Sequence, residues 1–143
     1  SGAQRRRSWY IFFFQLPLLP ELFLKQRKTM EIVFKTHKPG AIPESEVRYY
    51  SDAAREPNAA RAMINYYRAA KYPSSRLPKI TVPTLVVWGE QDVALGTELL
   101  GDLDRYLENF RIERLPNASH WVLEDEPEAA HAAIATFLKS KPS

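Results

Sequence analysis

An acidic side chain and an imidazole follow two strand-like segments of this chain. Asp92 lies in W-G-E-Q-D, four residues beyond Trp88, and His120 lies in N-A-S-H-W, five residues beyond Leu115. Because the carboxyl ends of adjacent parallel strands meet at one edge of a sheet, we expect the two loops to lie side by side. A carboxylate bonded to one imidazole nitrogen fixes the tautomer and leaves the other nitrogen as a base. Either residue alone is more typical of a structural role, but the pair in this order predicts a relay that activates water or a nucleophile.

The nucleophile for such a relay is missing from the sequence. A nucleophile on a sharp strand-to-helix turn needs flanking glycines for steric reasons. None of the five glycines brackets an Asp or Ser in G-x-D-x-G or G-x-S-x-G spacing: Gly2, Gly40, Gly89, Gly96 and Gly101. Four other aspartates occur in contexts typical of helices or helix starts: Asp52, Asp102, Asp104 and Asp125. The chain also starts with Ser1 and has no initiator Met, which is typical of a processed, tagged or cut piece. We therefore expect the nucleophile, the oxyanion donors and most of the sheet to lie outside it.

The elements that position the pair follow the segment Leu77–Pro83, where the sequence pattern changes. Pro83–Trp88 is a continuous apolar run rich in β-branched residues, as expected for a strand buried on both faces of a parallel sheet. Arg111–Leu115 alternates like a second strand. Between them Thr97 is predicted to cap a helix with an apolar side formed by Leu99, Leu100, Leu103, Tyr106 and Leu107.

A last helix is predicted from Pro127, whose missing N–H costs nothing in the first turn. Its predicted buried stripe is Ala130, Ala133, Ile134, Phe137 and Leu138, and His131 falls off that stripe and should be solvated. Alternating strands and helices imply a parallel sheet. Two strands alone do not make a free-standing sheet of this kind, so the chain is expected to be a portion of a larger fold.

The first part of the sequence is predicted to be helical. Glu21–Phe34 has helical spacing of its apolar residues, and prolines and a glycine interrupt the loop His37–Pro43. A second helix is predicted from Glu44 to about Arg55. A third starts with Asn58 as its N-cap, and its predicted apolar face is Ala59, Ala62, Met63, Tyr66 and Ala70.

Bulk properties exclude several classes of function. The 45% hydrophobic and 26% charged content are those of an ordinary globular protein. The net charge is only +3, and the sequence has no alternation of aromatic and basic residues that would suit a nucleic acid. Without cysteine, and with three histidines that lack paired spacing, we expect no disulfide and no metal site. The apolar run near the start is interrupted by Gln15, Pro17 and Pro20 and is too short to span a membrane.

Two sets of motifs resemble a known family. V-V-W-G-E-Q-D, followed by a helix, a strand and N-A-S-H-W, resembles the C-terminal end of the α/β-hydrolase fold, where the acid precedes the His. S-W-Y-I-F-F-F-Q-L-P and I-N-Y-Y-R resemble the two tyrosine-bearing segments of the helical cap of epoxide hydrolases. The resemblance covers nearly the whole chain. It implies an incomplete α/β-hydrolase fold, with a mostly helical cap over residues 1–77 and the last two parallel strands and two helices of the core over 78–143.

The resemblance also implies roles for individual residues. Tyr10 and Tyr67 match the cap tyrosines that hydrogen-bond the epoxide oxygen, Asp92 matches the acid, and His120 matches the general base. The nucleophilic Asp would belong to a complementary N-terminal part or second chain, so this chain alone is predicted to be inactive. The family's reaction, hydrolysis of an epoxide to a vicinal diol through an Asp-ester, needs no cofactor.

Aromatic residues near these positions are predicted to line the substrate pocket for a small hydrophobic epoxide: Trp9, Phe13, Phe14 and Trp121. Tyr66 and Tyr67 point about 100° apart on a helix. Tyr66 lies on the predicted apolar stripe, so we expect it in the core and Tyr67 at the pocket.

Two alternatives stay open from the sequence. A haloalkane or haloacid dehalogenase of the same superfamily would use the same Asp-ester chemistry, but would bind halide through Trp, Asn or His, whereas this chain offers two tyrosines. A non-catalytic fragment acting as a binding partner is the other alternative. The unpaired edge of Pro83–Trp88 would make that fragment poorly stable alone.

Overall fold

A computed structural model describes residues 2–34, 38–69 and 78–140 of the chain. The chain forms two compact units, Gly2–Tyr72 and Pro73–Ser143. The first unit is helical in its described part, and the second contains a parallel sheet. The predicted order, helices first and then alternating strands and helices, is confirmed.

Six helices make up the described part of the first unit. They are α1 Gly2–Arg7, α2 Trp9–Phe13, α3 Leu19–Leu24, α4 Arg27–Phe34, α5 Glu44–Arg55 and α6 Ala59–Ala69. The bounds of α5 are those predicted. Helix α3 packs against α4 and α6, and α5 packs against the same two helices. The buried apolar side chains between them are Met30, Phe34, Ile42, Ala54, Ala60 and Ile64.

The single helix predicted over Glu21–Phe34 is wrong, because the chain forms two helices there, α3 and α4. Thr29 explains the break between them. Its hydroxyl donates to the carbonyl oxygen of Phe23 at 2.6 Å, and the side chain is buried. A side chain that satisfies a carbonyl near the end of one helix replaces the backbone bond that would have continued it.

The predicted apolar face of α6 is also wrong. Ala60 and Ile64 are the buried residues of this helix, whereas Met63 and Tyr66 are exposed, Tyr66 at 74%. Apolar and aromatic side chains occur on several sides of α6, so periodicity does not identify the buried face. Contacts with α3 and α5 select it instead. Ala70, predicted on this helix, and His37, predicted in the loop before α5, lie outside the described residues.

The sheet of the second unit has two parallel strands in its described part, β1 Thr84–Gly89 and β2 Phe110–Leu115. Thr84 pairs with Phe110 and Gly89 with Leu115, so both strands end at the same edge. The parallel arrangement confirms the prediction. The expected burial on both faces is not found, since the residues of β1 before Gly89 are only half-buried.

Two helices pack against this sheet. Helix α7 spans Val122–Asp125, and α8 spans Pro127–Lys139. Helix α8 begins at the predicted proline and packs against both strands. Leu115, Ala118 and Ala130 form the buried core there, with Val87 and Val122 against it. Leu138 was predicted in the buried stripe of α8, and this prediction is wrong because Leu138 is exposed. His131 is exposed, as predicted.

The helix predicted from Thr97 is a 3₁₀ helix, Thr97–Arg105, preceded by Gly96 in an extended conformation with no side-chain cap. Gly101 lies in its middle, and glycine costs an α-helix about 1 kcal/mol relative to Ala. Leu100 and Leu107 are buried and Tyr106 is exposed, so only part of the predicted apolar side is used.

The described residues contain neither a membrane-spanning helix nor a candidate metal site. None of their helices is both long enough and apolar enough to cross a membrane. No group of three or more His, Cys, Asp or Glu side chains among them could hold a metal ion.

Candidate active site

The loops that follow β1 and β2 are bonded to each other through their backbones. Glu90 N donates to the carbonyl oxygen of Leu115 at 3.0 Å, and Gln91 N donates to that of Ala118 at 2.9 Å. The side-chain amide of Gln91 donates to the carbonyl oxygen of Pro116 at 3.0 Å. These bonds continue the pairing of the strands into the loops, so the two loops have a fixed separation.

Gly89 makes the close approach of these loops possible. A β-carbon at this position would collide with the backbone oxygen of Ser119 and would lie 2.5 Å from the carbonyl oxygen of Ala118. Both obstacles are backbone atoms, which cannot rotate away as a flexible side chain can. The glycine is therefore required for contact between the end of β1 and the loop that carries His120.

Asp92 and His120 meet at this edge of the sheet, as the sequence predicts. Asp92 Oδ2 lies 2.8 Å from His120 Nδ1. The other carboxylate oxygen, Oδ1, accepts from the backbone N–H groups of Ala94 at 2.7 Å and Leu95 at 2.9 Å. Both oxygens thus have partners, so the carboxylate is held in one orientation.

The environment of this pair differs between its two members. The Asp92 side chain is 8% exposed and that of His120 is 41% exposed. Because a carboxylate has no proton to donate, the Nδ1–H of the imidazole donates to it, and Nε2 is left as an acceptor. A neutral imidazole in this tautomer can take a proton from water.

A second carboxylate, which sequence reasoning missed, fixes the His120 loop from the other side. Asp125 is buried, and its Oδ2 accepts from Ser119 N at 2.7 Å and from Ser119 Oγ at 2.6 Å. Ser119 Oγ in turn accepts from Trp121 N at 3.3 Å. Ser119 is therefore bonded directly to a side chain of α7, and Trp121 is linked to that side chain through the Ser119 hydroxyl. The sequence signal for Asp125 is an acidic residue between His120 and Pro127, the proline that starts the last helix.

In the helical unit, Tyr10 and Tyr67 lie next to each other. Their ring centroids are 6.1 Å apart, with the planes at 86°. Phe14 contacts both rings, at 5.6 Å from Tyr10 and 4.9 Å from Tyr67. Tyr66 is mostly exposed, which corrects its predicted place in the core, and its ring centroid lies 5.6 Å from that of Tyr67. The structure thus brings together the two tyrosines that the motifs single out.

The aromatic residues predicted to line a pocket have different surroundings. Phe13 and Phe14 are half-buried, and Trp9 is exposed. Trp121 is half-buried with its ring centroid 5.6 Å from that of His120. A surface cavity of about 430 Å³ in the helical unit is lined by polar and apolar atoms, with Glu21, Arg61 and Arg68 among its residues, and none of the four aromatic residues contributes to it.

Glu21 and Arg68 form an ion pair beside the tyrosines. Arg68 Nη1 lies 2.6 Å from Glu21 Oε1. The hydrogen bond from Arg68 holds the pKa of Glu21 below its ordinary value of 4.5, with smaller lowering by the charges of Arg68 and Arg61 and an opposing effect of burial. A carboxyl with a lowered pKa in the folded state stabilises that state above its unfolded pKa and loses this effect as the pH falls through the folded value.

We therefore expect Glu21→Gln to lower the free energy of unfolding at neutral pH and to have little effect well below pH 4.5. Urea unfolding followed by far-UV circular dichroism at the two pH values measures this. Glu46→Gln, on α5, is the control, since Glu46 has no ion pair described in this part of the chain. If Glu21→Gln lowers the free energy of unfolding equally at both pH values, the ion pair with Arg68 is not the source of the stabilisation.

Comparison with known proteins gives several relatives that are named epoxide hydrolases. No family model matches the chain. Epoxide hydrolase 4 of Homo sapiens is 32% identical over 152 aligned residues, covering 97% of this chain and 41% of that protein. Epoxide hydrolase 3 of Xenopus tropicalis is 33% identical over 147 residues, covering 96% and 40%. The chain spans less than half the length of these curated relatives.

Solved structures agree with the sequence relatives. An epoxide hydrolase of Bacillus megaterium in complex with an inhibitor has a TM-score of 0.79 at 21% identity, covering 96% of this chain and 53% of that chain, and shows the fold alone. A metagenomic epoxide hydrolase from a hot environment, of the α/β-hydrolase superfamily, has a TM-score of 0.78 at 30% identity, covering 97% and 52%. The chain is thus a relative of the epoxide hydrolases, and its fold is an incomplete α/β-hydrolase fold.

Proposed function

We propose that this chain supplies the cap tyrosines and the water-activating pair of an epoxide hydrolase that forms vicinal diols through an Asp-ester. The nucleophilic Asp would come from a part of the enzyme that is not in this sequence. The observation that carries the proposal is the contact between Tyr10 and Tyr67, whose rings lie 6.1 Å apart. An acid–histidine pair occurs in much of the superfamily, whereas two adjacent phenols suit an epoxide oxygen.

In the first half-reaction, a carboxylate oxygen of the nucleophilic Asp attacks an epoxide carbon and the carbon–oxygen bond of the ring breaks. Negative charge develops on the ring oxygen, where Tyr10 and Tyr67 would donate hydrogen bonds. One phenol then transfers its proton to this oxygen. The product is an ester of the nucleophilic Asp with one new hydroxyl on the substrate.

In the second half-reaction, His120 Nε2 would take a proton from a water molecule whose oxygen attacks the ester carbonyl carbon. Asp92 would stabilise the imidazolium that forms. Collapse of the tetrahedral intermediate breaks the bond to the substrate oxygen, which receives the proton from His120. The carboxyl that remains loses its proton to the phenolate, so the enzyme returns to its first state and one water has been consumed.

A chimaeric enzyme tests this proposal. In the metagenomic relative, which matches 97% of this chain, the matched part is replaced by the present sequence, and an aryl epoxide is the substrate. We expect diol formation by the chimaera and none by the 143-residue chain alone, because the chain lacks a glycine-flanked nucleophile. Asp92→Asn in the chimaera should remove most of the activity, since it favours the wrong imidazole tautomer.

The control is the same chimaera with His131→Asn, a change on the exposed side of α8. Turnover by the chain alone would contradict the need for an outside nucleophile. A folded chimaera that converts no epoxide would contradict the proposed activity.

A further inference from the structure

Arg68 uses every N–H of its guanidinium group in the described part of the helical unit. Nε donates to the carbonyl oxygen of Phe14 at 3.0 Å, and Nη2 donates to that of Leu16 at 2.5 Å. Nη1 donates to Glu21 Oε1 at 2.6 Å and to Asn65 Oδ1 at 3.2 Å, and Nη2 also donates to Glu21 Oε2 at 3.3 Å. A guanidinium group has five N–H donors, and five bonds account for all of them.

Arg68 and two of its acceptors belong to different tyrosine-bearing segments. Phe14 and Leu16 follow α2, the helix that carries Tyr10, while Arg68 follows Tyr67 directly on α6. The guanidinium therefore joins the end of one tyrosine-bearing helix to the other. The side-chain amide of Gln15 adds a weaker link, donating to the carbonyl oxygen of Tyr67 at 3.5 Å.

The hydrogen bonds of Arg68 are strengthened by partial burial and directed by fixed acceptors. The side chains of Arg68 and Glu21 are 25% and 14% exposed, so water competes only in part for their bidentate pair. Two of the remaining acceptors are backbone carbonyl oxygens, whose positions follow those of the chain itself. A lysine has three donors on one nitrogen and cannot reach acceptors spread around a planar fork.

We propose that Arg68 is a positioning residue that sets the separation and orientation of Tyr10 and Tyr67. This inference rests on the proposed function, since it assigns Arg68 to the ring-opening half-reaction in which the tyrosines act. Arg68 itself touches no reacting atom in this scheme. Loss of the fork would let the segment after α2 move relative to α6, and a displacement of about 1 Å at a reacting group costs on the order of 10²-fold in rate.

The test compares Arg68→Lys with Arg61→Lys. Both changes are on α6 and keep the charge, but Arg61 is exposed. In the chimaeric enzyme, single-turnover kinetics should give a rate of ester formation on the order of 10²-fold lower for Arg68→Lys, with the rate of ester hydrolysis unchanged. Arg61→Lys should change neither. An equal loss in both half-reactions, or no loss in ester formation, would overturn the proposal.

A second readout does not depend on activity. The chain is labelled with 3-fluorotyrosine at its seven tyrosines, and the ¹⁹F resonances of Tyr10 and Tyr67 are assigned by single Tyr→Phe variants. We expect these two resonances to shift in Arg68→Lys and to stay in place in Arg61→Lys. Unchanged resonances in a folded Arg68→Lys chain would overturn the positioning role, whether or not the chimaera hydrolyses epoxides.

If Arg68→Lys does not fold, as judged by the loss of its helical circular dichroism, the ¹⁹F measurement is made on Glu21→Gln instead. This variant removes the charge of the pair but leaves the bonds to the carbonyl oxygens of Phe14 and Leu16. We expect the same two ¹⁹F resonances to shift by a smaller amount, and the absence of any shift would count against the proposal.

Discussion

Replacement of both Tyr10 and Tyr67 by Phe is expected to abolish ester formation in the completed enzyme. Each phenylalanine keeps the ring packing, including the contacts with Phe14, but removes the O–H that would stabilise charge on the epoxide oxygen. Losing one donor of this kind costs about 3 kcal/mol, on the order of 10²- to 10³-fold in rate. Losing both leaves the developing alkoxide without a donor from this chain. Single-turnover mass spectrometry, which follows the adduct on the nucleophilic Asp, measures the effect.

Tyr66→Phe is the matched control for the double variant. It makes the same chemical change one residue away, on a side chain that is 74% exposed. We expect normal turnover and unchanged ester formation in this variant. Normal turnover by the double variant would show that the tyrosines are packing residues and that the cap assignment is wrong.

His120→Gln is expected to stop the second half-reaction and leave the first intact. Glutamine can still bond to Asp92, but it has no basic nitrogen with which to take a proton from water. General-base catalysis contributes typically 10²- to 10⁴-fold, so hydrolysis of the ester should become the slow step by a wide margin. The intermediate should then accumulate as a stoichiometric mass increase on the part that carries the nucleophilic Asp.

His131→Gln supplies the control, because it makes the same substitution at an exposed position of α8. We expect no adduct and normal diol formation from it. If His120→Gln forms diol at the normal rate, or forms no adduct while epoxide is consumed, the two-step mechanism does not apply.

The sequence predicted the arrangement of Asp92 and His120 because that arrangement depends on backbone pattern. A β-branched run, an alternating run and the helices between them specify parallel strands. Parallel strands bring their carboxyl ends to one edge, and the 2.8 Å contact follows from this with little further information. The adjacency of Tyr10 and Tyr67 came from the motifs, which resemble the segments of a known cap.

Other features depend on packing between distant parts of the chain and could not be read from local pattern. The buried face of α6 is set by contacts with α3 and α5, so the stripe that included Tyr66 was wrong. Asp125 looks like an ordinary helix-start acid until its bonds to Ser119 are known. The role of Arg68 is similar, because its acceptors at Phe14, Leu16 and Glu21 lie about 50 residues earlier in the chain.

The division of the chain into two compact units has a consequence for how its variants should be measured. The groups proposed for ring opening lie in Gly2–Tyr72, and those proposed for ester hydrolysis lie in Pro73–Ser143. When a reaction has two consecutive steps, the steady-state turnover rate reports only the slower step. A substitution in one unit will therefore be silent in kcat whenever the step assigned to the other unit is limiting. Random mutagenesis scored by turnover would recover residues from one half of the chain and overlook the other.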